Sequence, residues 1–324
     1  MVFSIHQEND FSFSRNIPAS LIRYLLPVSS GISATSNEDI QVLLQESSAW
    51  SSKLYHAVYR TTRTTELKIR DEGPFLFMYL ALQHERRLEI EGLGPVHIRE
   101  GQYNLIYSPH FDVNSIHEGG KDYITMSLQY DRSALEEWTH YFPPLAAFLA
   151  RVDAGRPGML LDEHQWISRE IQDTIYRLTH IPREIPGYQV YFDLMTRTLL
   201  FHLLLQAIQQ QPPSPYTHYE IDGIHAAREM IRENIRRHFV IREIAQTVGV
   251  NEFKLKTGFR ELFGNGVYEF LRLERMHEAR ELLHNATRSI KQVAALTGYK
   301  SVNSFIKAFK KEFGLTPGEF RRTA

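Results

Sequence analysis

A stretch of the chain near its C-terminal end occurs twice, and this duplication restricts the possible folds more than composition does. Residues 241–264 read IREIAQTVGVNEFKLKTGFRELFG, and residues 290–314 read IKQVAALTGYKSVNSFIKAFKKEFG. Each copy carries one glycine between two apolar runs, Gly249 in the first and Gly298 in the second, 49 positions later. Two copies are too few for a solenoid, in which several repeats stack to bury a continuous core. The pattern within each copy therefore has to explain the duplication.

Each copy has the pattern of a short helix, a tight turn and a second helix. Gly249 follows the first helix where the turn requires a positive φ, and Asn251 is a good N-cap for the helix that follows. Residues 289–292 form a capping box ahead of the second copy. Apolar periodicity between the copies predicts a bridging helix over 267–284. We therefore predict two helix-turn-helix units on one long helix.

Charge is distributed unevenly along the chain, although the total is only −1. Residues 219–324 hold 19 Lys and Arg against 13 Asp and Glu, a net of +6. The preceding residues hold 18 against 25, a net of −7. A basic third beside an acidic remainder predicts that only the C-terminal part meets a polyanion such as DNA. Chance segregation of solvated charges is the alternative.

The front of the chain changes from β to helical periodicity. Short alternating runs between 55 and 130, separated by Gly and Pro turns, favour a sandwich or barrel over a βαβ sheet. The helical part ends in a helix whose apolar stripe is wider than one core face needs, which indicates both burial and contact between subunits. We predict an α+β chain with four parts: a β-rich sensing domain (1–132), a helical dimerisation segment (133–211), a Pro-rich linker (212–218) and a helical DNA-binding domain (219–324).

The cysteine content and the length of the apolar runs indicate the cellular location. The chain has no cysteine, which excludes disulfides, thiolate nucleophiles and Cys-ligated metals and suits a reducing cytoplasm. Its first ten residues lack the pattern of a signal peptide, and the apolar run 199–208 is about half as long as a membrane span. We expect a cytoplasmic protein without a membrane partner.

The C-terminal third resembles the AraC-type transcription regulators. The resemblance covers both helix-turn-helix units and is carried by Ile244-Ala245, Leu255, Phe259, Arg275, Ala279, Leu282-Leu283, Ile290, Ala294, Gly298-Tyr299, Ser304-Phe305, Phe309, Phe313-Gly314, Pro317 and Arg321. The sequence KLKTGFRELFG, followed by RMHEARELL, is similar to the PchR-like subgroup, whose members respond to siderophores. That narrower resemblance implies a siderophore as the effector.

The resemblance also implies which residues bind double-stranded DNA. It assigns base reading to exposed positions of the second helix of each unit, namely Phe253, Lys256, Thr257 and Arg260, then Val302, Asn303, Ser304, Ile306 and Lys307. Phosphate binding is the chemistry that suits Lys310, Lys311, Arg321 and Arg322. For each lysine, a solvated helix face is the alternative. The 18-residue bridge would be about 27 Å long, comparable with the roughly 34 Å between successive major grooves.

The family's front half is often an effector-binding, cupin-like barrel, so the resemblance implies a ligand-responsive homodimer. A metal-dependent cupin enzyme fused to a DNA-binding domain is one alternative, but its His-x-His motif is absent from the sequence. We interpret His84, His97, His110 and His117 as surface or hydrogen-bonded core residues. With no P-loop, nucleophile elbow or dinucleotide fingerprint, we predict no catalytic residue, metal ligand or cofactor and do not expect an enzyme. A ligand-independent DNA-binding protein is the second alternative.

Overall fold

Two compact units make up the chain, Met1–Gln210 and Gln211–Ala324. A computed structural model describes residues 2–5, 13–48, 50, 52–71, 73–208, 216–284 and 288–323. The described part of the first unit is rich in strands with four α-helices, and that of the second contains only helices. The α+β prediction is therefore confirmed.

The first unit contains two antiparallel sheets. Its strands are β1 (Val2–Ile5), β2 (Gly31–Ser36), β3 (Ile40–Ser48), β4 (Ser52–Thr61), β5 (Thr65–Asp71), β6 (Phe75–Gln83), β7 (Arg86–Ile90), β8 (Gly94–Ile98), β9 (Gln102–Ser108), β10 (Phe111–His117), β11 (Asp122–Tyr130), β12 (Gly158–Met159) and β13 (Gln165–Trp166). The smaller sheet has the order β1-β5-β10-β7-β8. The larger has the order β12-β9-β6-β11-β4-β3-β2, with β13 also paired to β9. The strands in the described part of the chain form no closed barrel, so the cupin-like barrel is not confirmed.

Both faces of the larger sheet are covered, which explains why some strands lack simple alternation. On one face, Phe77 and Ile106 pack with Ile90 of the smaller sheet. On the other face, Leu105 and Leu128 belong to a core that also contains helical residues. β9 is consequently buried along its whole length, because a strand covered on both sides has no solvent face.

Four helices follow the sheets in the first unit: α1 (Arg132–Glu136), α2 (Pro143–Asp153), α3 (Arg169–Thr179) and α4 (Tyr188–Ile208). Gln165 and Trp166, shortly before α3, form β13 and pair with β9. Tyr103 of β9 donates a hydrogen bond of 2.8 Å to the Leu203 carbonyl, which fixes α4 against the larger sheet. Within the described residues, no helix combines the length and the apolar character that crossing a membrane requires.

The described part of the second unit contains seven helices: α5 (His218–Glu233), α6 (Ile241–Thr247), α7 (Glu252–Phe263), α8 (Val267–His284), α9 (Ile290–Leu296), α10 (Val302–Phe313) and α11 (Pro317–Thr323). The predicted bounds of the bridging helix, 267–284, are confirmed. Residues 212–215 of the predicted linker lie outside the described residues. Thr217 is the N-cap of α5 in a capping box with Glu220. His218 therefore belongs to a helix.

Candidate functional site

The first helix-turn-helix unit comprises α6, a turn and α7. Gly249 has φ 71°, and the Val250 amide donates to the Ala245 carbonyl at 3.0 Å. This closure of a helix end through a left-handed residue satisfies carbonyls that the helix leaves free. Asn251 then caps α7 by accepting a hydrogen bond of 2.8 Å from the Lys254 amide. Leu255 and Phe259 of α7 are fully buried, so the opposite face of the helix is turned outward.

The second helix-turn-helix unit repeats this geometry in α9 and α10. Gly298 has φ 80°, and the Tyr299 amide donates to the Ala294 carbonyl at 2.9 Å. Ser301 caps α10 by accepting a hydrogen bond from the Ser304 amide. Phe305 and Phe309 are fully buried. The shared residues of the two copies therefore hold each helix-turn-helix unit together.

Two arginines connect the helix-turn-helix units. Arg275 of α8 donates to the carbonyls of Ile235 at 2.7 Å and Arg237 at 3.0 Å. Arg236 donates to the Leu296 carbonyl at the end of α9, also at 2.7 Å. These bonds to backbone carbonyls fix the two units within one body, because an arginine presents its donors in a rigid fork.

A buried cation lies where α5 meets α7 and α8. The Arg228 guanidinium lies 4.6 Å from the ring centroid of Phe263 and 5.6 Å from that of Phe270. Burial lowers the pKa of Arg228 to about 9, and it still carries its charge at neutral pH. Aromatic faces stabilise a desolvated cation, so this arginine contributes to packing rather than to a ligand surface.

Most of the predicted DNA-binding residues are exposed. Phe253 is 75% exposed, and the other exposed members are Lys256, Arg260, Asn303, Ser304, Lys307, Lys310 and Lys311. A nearby carboxylate on α10, that of Glu312, is engaged by Arg272 at 2.7 Å and is half-buried. The outer face of α10 is therefore predominantly polar and basic, which suits a nucleic-acid phosphate backbone.

Two of the predicted DNA-binding residues, Thr257 and Arg321, make hydrogen bonds within the domain. Thr257 donates to the Phe253 carbonyl at 2.9 Å and accepts from the Tyr216 hydroxyl at 3.0 Å, so its hydroxyl is already satisfied. Arg321 donates to the Arg288 carbonyl at 2.7 Å. Both side chains therefore make hydrogen bonds within the domain, and base reading by Thr257 and phosphate binding by Arg321 stay predictions.

Two further predicted positions are apolar and half-buried. Val302 and Ile306 pack against the core of the second helix-turn-helix unit. Contact with a thymine methyl remains the only readout that such side chains offer. Their main role in the structure is packing.

Sequence reasoning missed a hollow beside the first recognition helix. Its volume is about 520 Å³, and it brings Lys256 and Arg260 together with Tyr268 at the beginning of α8. Tyr268 is 53% exposed. A tyrosine hydroxyl and the first amides of a helix are suitable donors for a phosphate oxygen. The only signal in the sequence for this residue is that Tyr268 lies at the start of the predicted bridging helix.

Comparisons with known proteins agree with this geometry. A family model described as "Helix-turn-helix domain" matches residues 244–323, which include both recognition helices. The chain is 30% identical over 95 residues to the xylose operon regulatory protein of Escherichia coli (strain K12), covering 29% of this chain and 24% of that protein. It is 22% identical over 206 residues to the lactose operon transcription activator of Staphylococcus xylosus, covering 60% of this chain and 71% of that protein. The C-terminal unit is an AraC-type helix-turn-helix domain.

The AraC-type domain also has a counterpart among solved structures. A transcriptional regulator from Chromobacterium violaceum, described as containing an AraC-type DNA-binding domain, is 26% identical with a TM-score of 0.30. The match covers 32% of this chain and 91% of that chain. The family model, not this likeness, confirms the AraC-type resemblance, and likeness to the PchR-like subgroup stays a prediction. The chain spans about a quarter of the length of the xylose operon regulatory protein that it matches.

The N-terminal unit contains a cavity that the sequence did not indicate. It has a volume of about 700 Å³ and is lined by residues of both sheets, including Tyr59, Phe77, Arg86 and Phe111. Cavities of this size accommodate a small organic molecule. The unit therefore offers a ligand-sized space apart from the AraC-type domain.

Proposed function

We propose that the protein is a ligand-responsive transcription regulator that binds specific sites on double-stranded DNA. The observation that carries this proposal is the pair of recognition helices, each with a buried aromatic face and an exposed polar face, in one AraC-type domain. The relatives named above are described as regulators of operons. Transcription regulation is therefore preferred to an architectural role in DNA packing.

The two recognition helices are proposed to enter successive major grooves. They flank α8, whose 18 residues extend about 27 Å at 1.5 Å per residue. Successive major grooves on one DNA face are roughly 34 Å apart. The arginine bonds between the two units support this geometry, because reading two grooves at a fixed spacing requires a fixed domain.

Asn303→Ala and Lys310→Ala are expected to weaken DNA binding in different ways. Asn303 is able to pair with an adenine edge, so its loss should relax the preference at one base pair, by about 1–3 kcal/mol. Lys310 lies at the end of α10 and suits a phosphate. Its loss should weaken all sequences alike and reduce the slope of log affinity against log salt by about 1. Binding titrations against a site and its single-base variants, at several salt concentrations, measure both effects.

Each variant is the control for the other, and genomic footprinting supplies the site. Equal loss of discrimination in both variants would show that the division into base and phosphate contacts is wrong. If the protein protects no discrete site in the genome, the regulator proposal itself fails. A smooth coating of DNA would favour the architectural alternative.

The effector is proposed to bind in the N-terminal cavity and to change how the AraC-type domains are presented to DNA. A ligand shifts such an equilibrium only by its difference in affinity for the two arrangements. A siderophore is the effector that the PchR-like resemblance implies. The metal-dependent cupin alternative is disfavoured by His117, because its Nε2 lies within hydrogen-bond distance of the Arg86 guanidinium rather than being available to a cation. His97 is exposed and lies 3.0 Å from Glu85.

Pairing of two chains through α4 is proposed because the helix exposes an apolar stripe. Val190 and Leu194 are 59% and 55% exposed, and Phe201 and Ile208 are 41% and 39% exposed. Their spacing of four and seven residues puts them on one helix face. Arg197 lies on the same face and is held by Glu137 at 2.6 Å. An exposed apolar stripe of this kind is typical of a subunit interface.

Leu194→Glu is expected to convert a dimer into a monomer, because it places a charge in the middle of the proposed contact. Sedimentation equilibrium of the full chain measures the change, and circular dichroism verifies that both proteins are folded. Gln189→Glu, at an exposed neighbouring position, adds the same charge outside the stripe and should leave the dimer intact. Equal masses for all three proteins would argue against pairing through α4.

A further inference from the structure

Arg86 occupies an inward position of a strand, where an arginine is unusual. β7 alternates between buried and exposed residues, with Arg86, Leu88 and Ile90 inward. Arg86 is only 2% exposed and lines the cavity between the two sheets. A cation in such a place is costly unless something compensates its charge.

The groups around Arg86 are neutral. Its Nε donates to the Tyr79 hydroxyl at 3.1 Å, and its Nη1 donates to the Nε2 of His117. The guanidinium carbon lies 4.8 Å from the ring centroid of Tyr59 and 5.3 Å from that of Tyr123. Burial and the adjacent guanidinium hold the pKa of His117 well below its usual value, so this imidazole is neutral. Throughout the part of the chain that the structure describes, Arg86 makes no ion pair with a carboxylate.

The other charged residues that line the cavity lie away from Arg86. Glu46 is paired in register with Tyr55 of β4, four residues from the Tyr59 ring that stacks on Arg86. Four residues of strand correspond to about 13 Å, so Glu46 is too distant to be its partner. Lys53 and Arg15 also line the cavity and are exposed. Among the described residues that line the cavity, three cations and one carboxylate give it a positive character.

Many residues that line the cavity are aromatic: Tyr59 and Tyr79 contact Arg86, and three phenylalanines also line the cavity. Phe75 and Phe111 lie with ring centroids 4.2 Å apart, and Phe77 lies 5.9 Å from Phe111. These rings pack against one another and line the cavity, where a planar ligand makes offset or edge contacts with them. An arginine fork at one side of aromatic walls matches a planar carboxylate, to which it donates two parallel hydrogen bonds.

We infer that the cavity binds a small organic carboxylate with an aromatic body, and that its carboxylate pairs with Arg86. This inference rests on the proposed function of a ligand-responsive regulator and names the chemical class of its effector. The bound anion neutralises a buried cation that makes no ion pair with a carboxylate among the described residues. Uncharged ligands of the same shape leave that charge unpaired, so the cavity discriminates against them.

Paired acids and amides test this assignment on the full chain. The probes are benzoate, 3-phenylpropionate and 2-naphthoate, each beside its primary amide, which keeps the shape and removes the charge. Calorimetric titration and thermal unfolding report binding, because a ligand that binds only the folded state raises the transition temperature. At least one acid should bind, and its amide should bind more weakly by on the order of tenfold to a hundredfold, the range for a hydrogen bond to a charged group.

Arg86→Met provides the matching change in the protein. It should abolish the preference for the acid over its amide, and the ligand-free variant should be as stable as the wild type, since an apolar side chain replaces a buried charge. Lys53→Met, at an exposed position lining the cavity, is the control and should retain the preference. If no acid binds, if acid and amide bind equally, or if Arg86→Met keeps the preference, the assignment is overturned.

The test of carboxylate binding remains decisive if Arg86→Met does not fold. It is also separate from the test of the regulator proposal. An unfolded variant leaves the acid and amide comparison in the wild type to decide. These titrations contain no DNA, so loss of carboxylate binding and absence of a footprint are separate results.

Discussion

Phe305→Ala is expected to lower the free energy of unfolding of the C-terminal unit by about 3–5 kcal/mol. Phe305 is fully buried and packs against Tyr299 and Phe309, with ring centroids 5.6 and 5.9 Å away. Phe253 belongs to α7, the corresponding helix of the first helix-turn-helix unit, but is 75% exposed. Phe253→Ala is therefore expected to change stability by no more than about 0.5 kcal/mol while weakening DNA binding.

The distribution of tryptophan makes this prediction measurable unit by unit. Trp50, Trp138 and Trp166 all precede the C-terminal unit, which contains no tryptophan. Urea unfolding followed by circular dichroism at 222 nm reports mainly the helices of both units, whereas tryptophan fluorescence reports the first. Phe305→Ala should shift part of the dichroism transition and leave the fluorescence transition in place. A destabilisation by Phe253→Ala equal to that by Phe305→Ala would contradict the assignment of inner and outer faces.

The helix ends of the AraC-type domain were predictable because their causes are local. Asn251, Ser301 and Thr316 each accept a hydrogen bond from an amide three residues later. A cap of this kind depends on neighbouring residues alone, so it is visible in the sequence. Gly258 shows where local reasoning fails. Mid-helix glycine costs about 1 kcal/mol relative to alanine, yet a Cβ there would lie 2.5 Å from Ile224 and 3.1 Å from Tyr216. Close approach of α5 requires this glycine.

The N-terminal unit was less predictable because its strands pair over long distances. The strand runs were visible from alternation, but the order β9-β6-β11-β4 in the larger sheet depends on contacts between residues far apart in sequence. Arg86 was detectable in principle, since Leu88 and Ile90 identify the inward face of β7. The partners of Thr257 and Arg321 are 41 and 33 residues away, and no local pattern indicates such contacts.

The glycine that marks each turn has a second role at Gly298. Its φ of 80° lies in the left-handed region, and a Cβ there would lie 2.9 Å from the Cα of Arg236 and 3.0 Å from its carbonyl oxygen. Backbone atoms cannot rotate away as a side chain does, so the turn of the second unit has to move. Because Arg236 also bonds the end of α9, such a movement separates the two helix-turn-helix units.

Gly298→Ala is therefore expected to cost about 2–5 kcal/mol, from left-handed strain of about 1–2 kcal/mol and overpacking of about 1–3 kcal/mol. Gly314→Ala is the matched control, since Gly314 has φ 75° but a Cβ there would meet no described atom within 4 Å. It should carry the strain alone, about 1–2 kcal/mol. Urea unfolding followed by circular dichroism measures both costs, and DNA titration should show a larger loss of affinity for Gly298→Ala. Equal costs at the two glycines would mean that the second unit does not depend on its close approach to Arg236, and the two-groove geometry would lose the contact that fixes it.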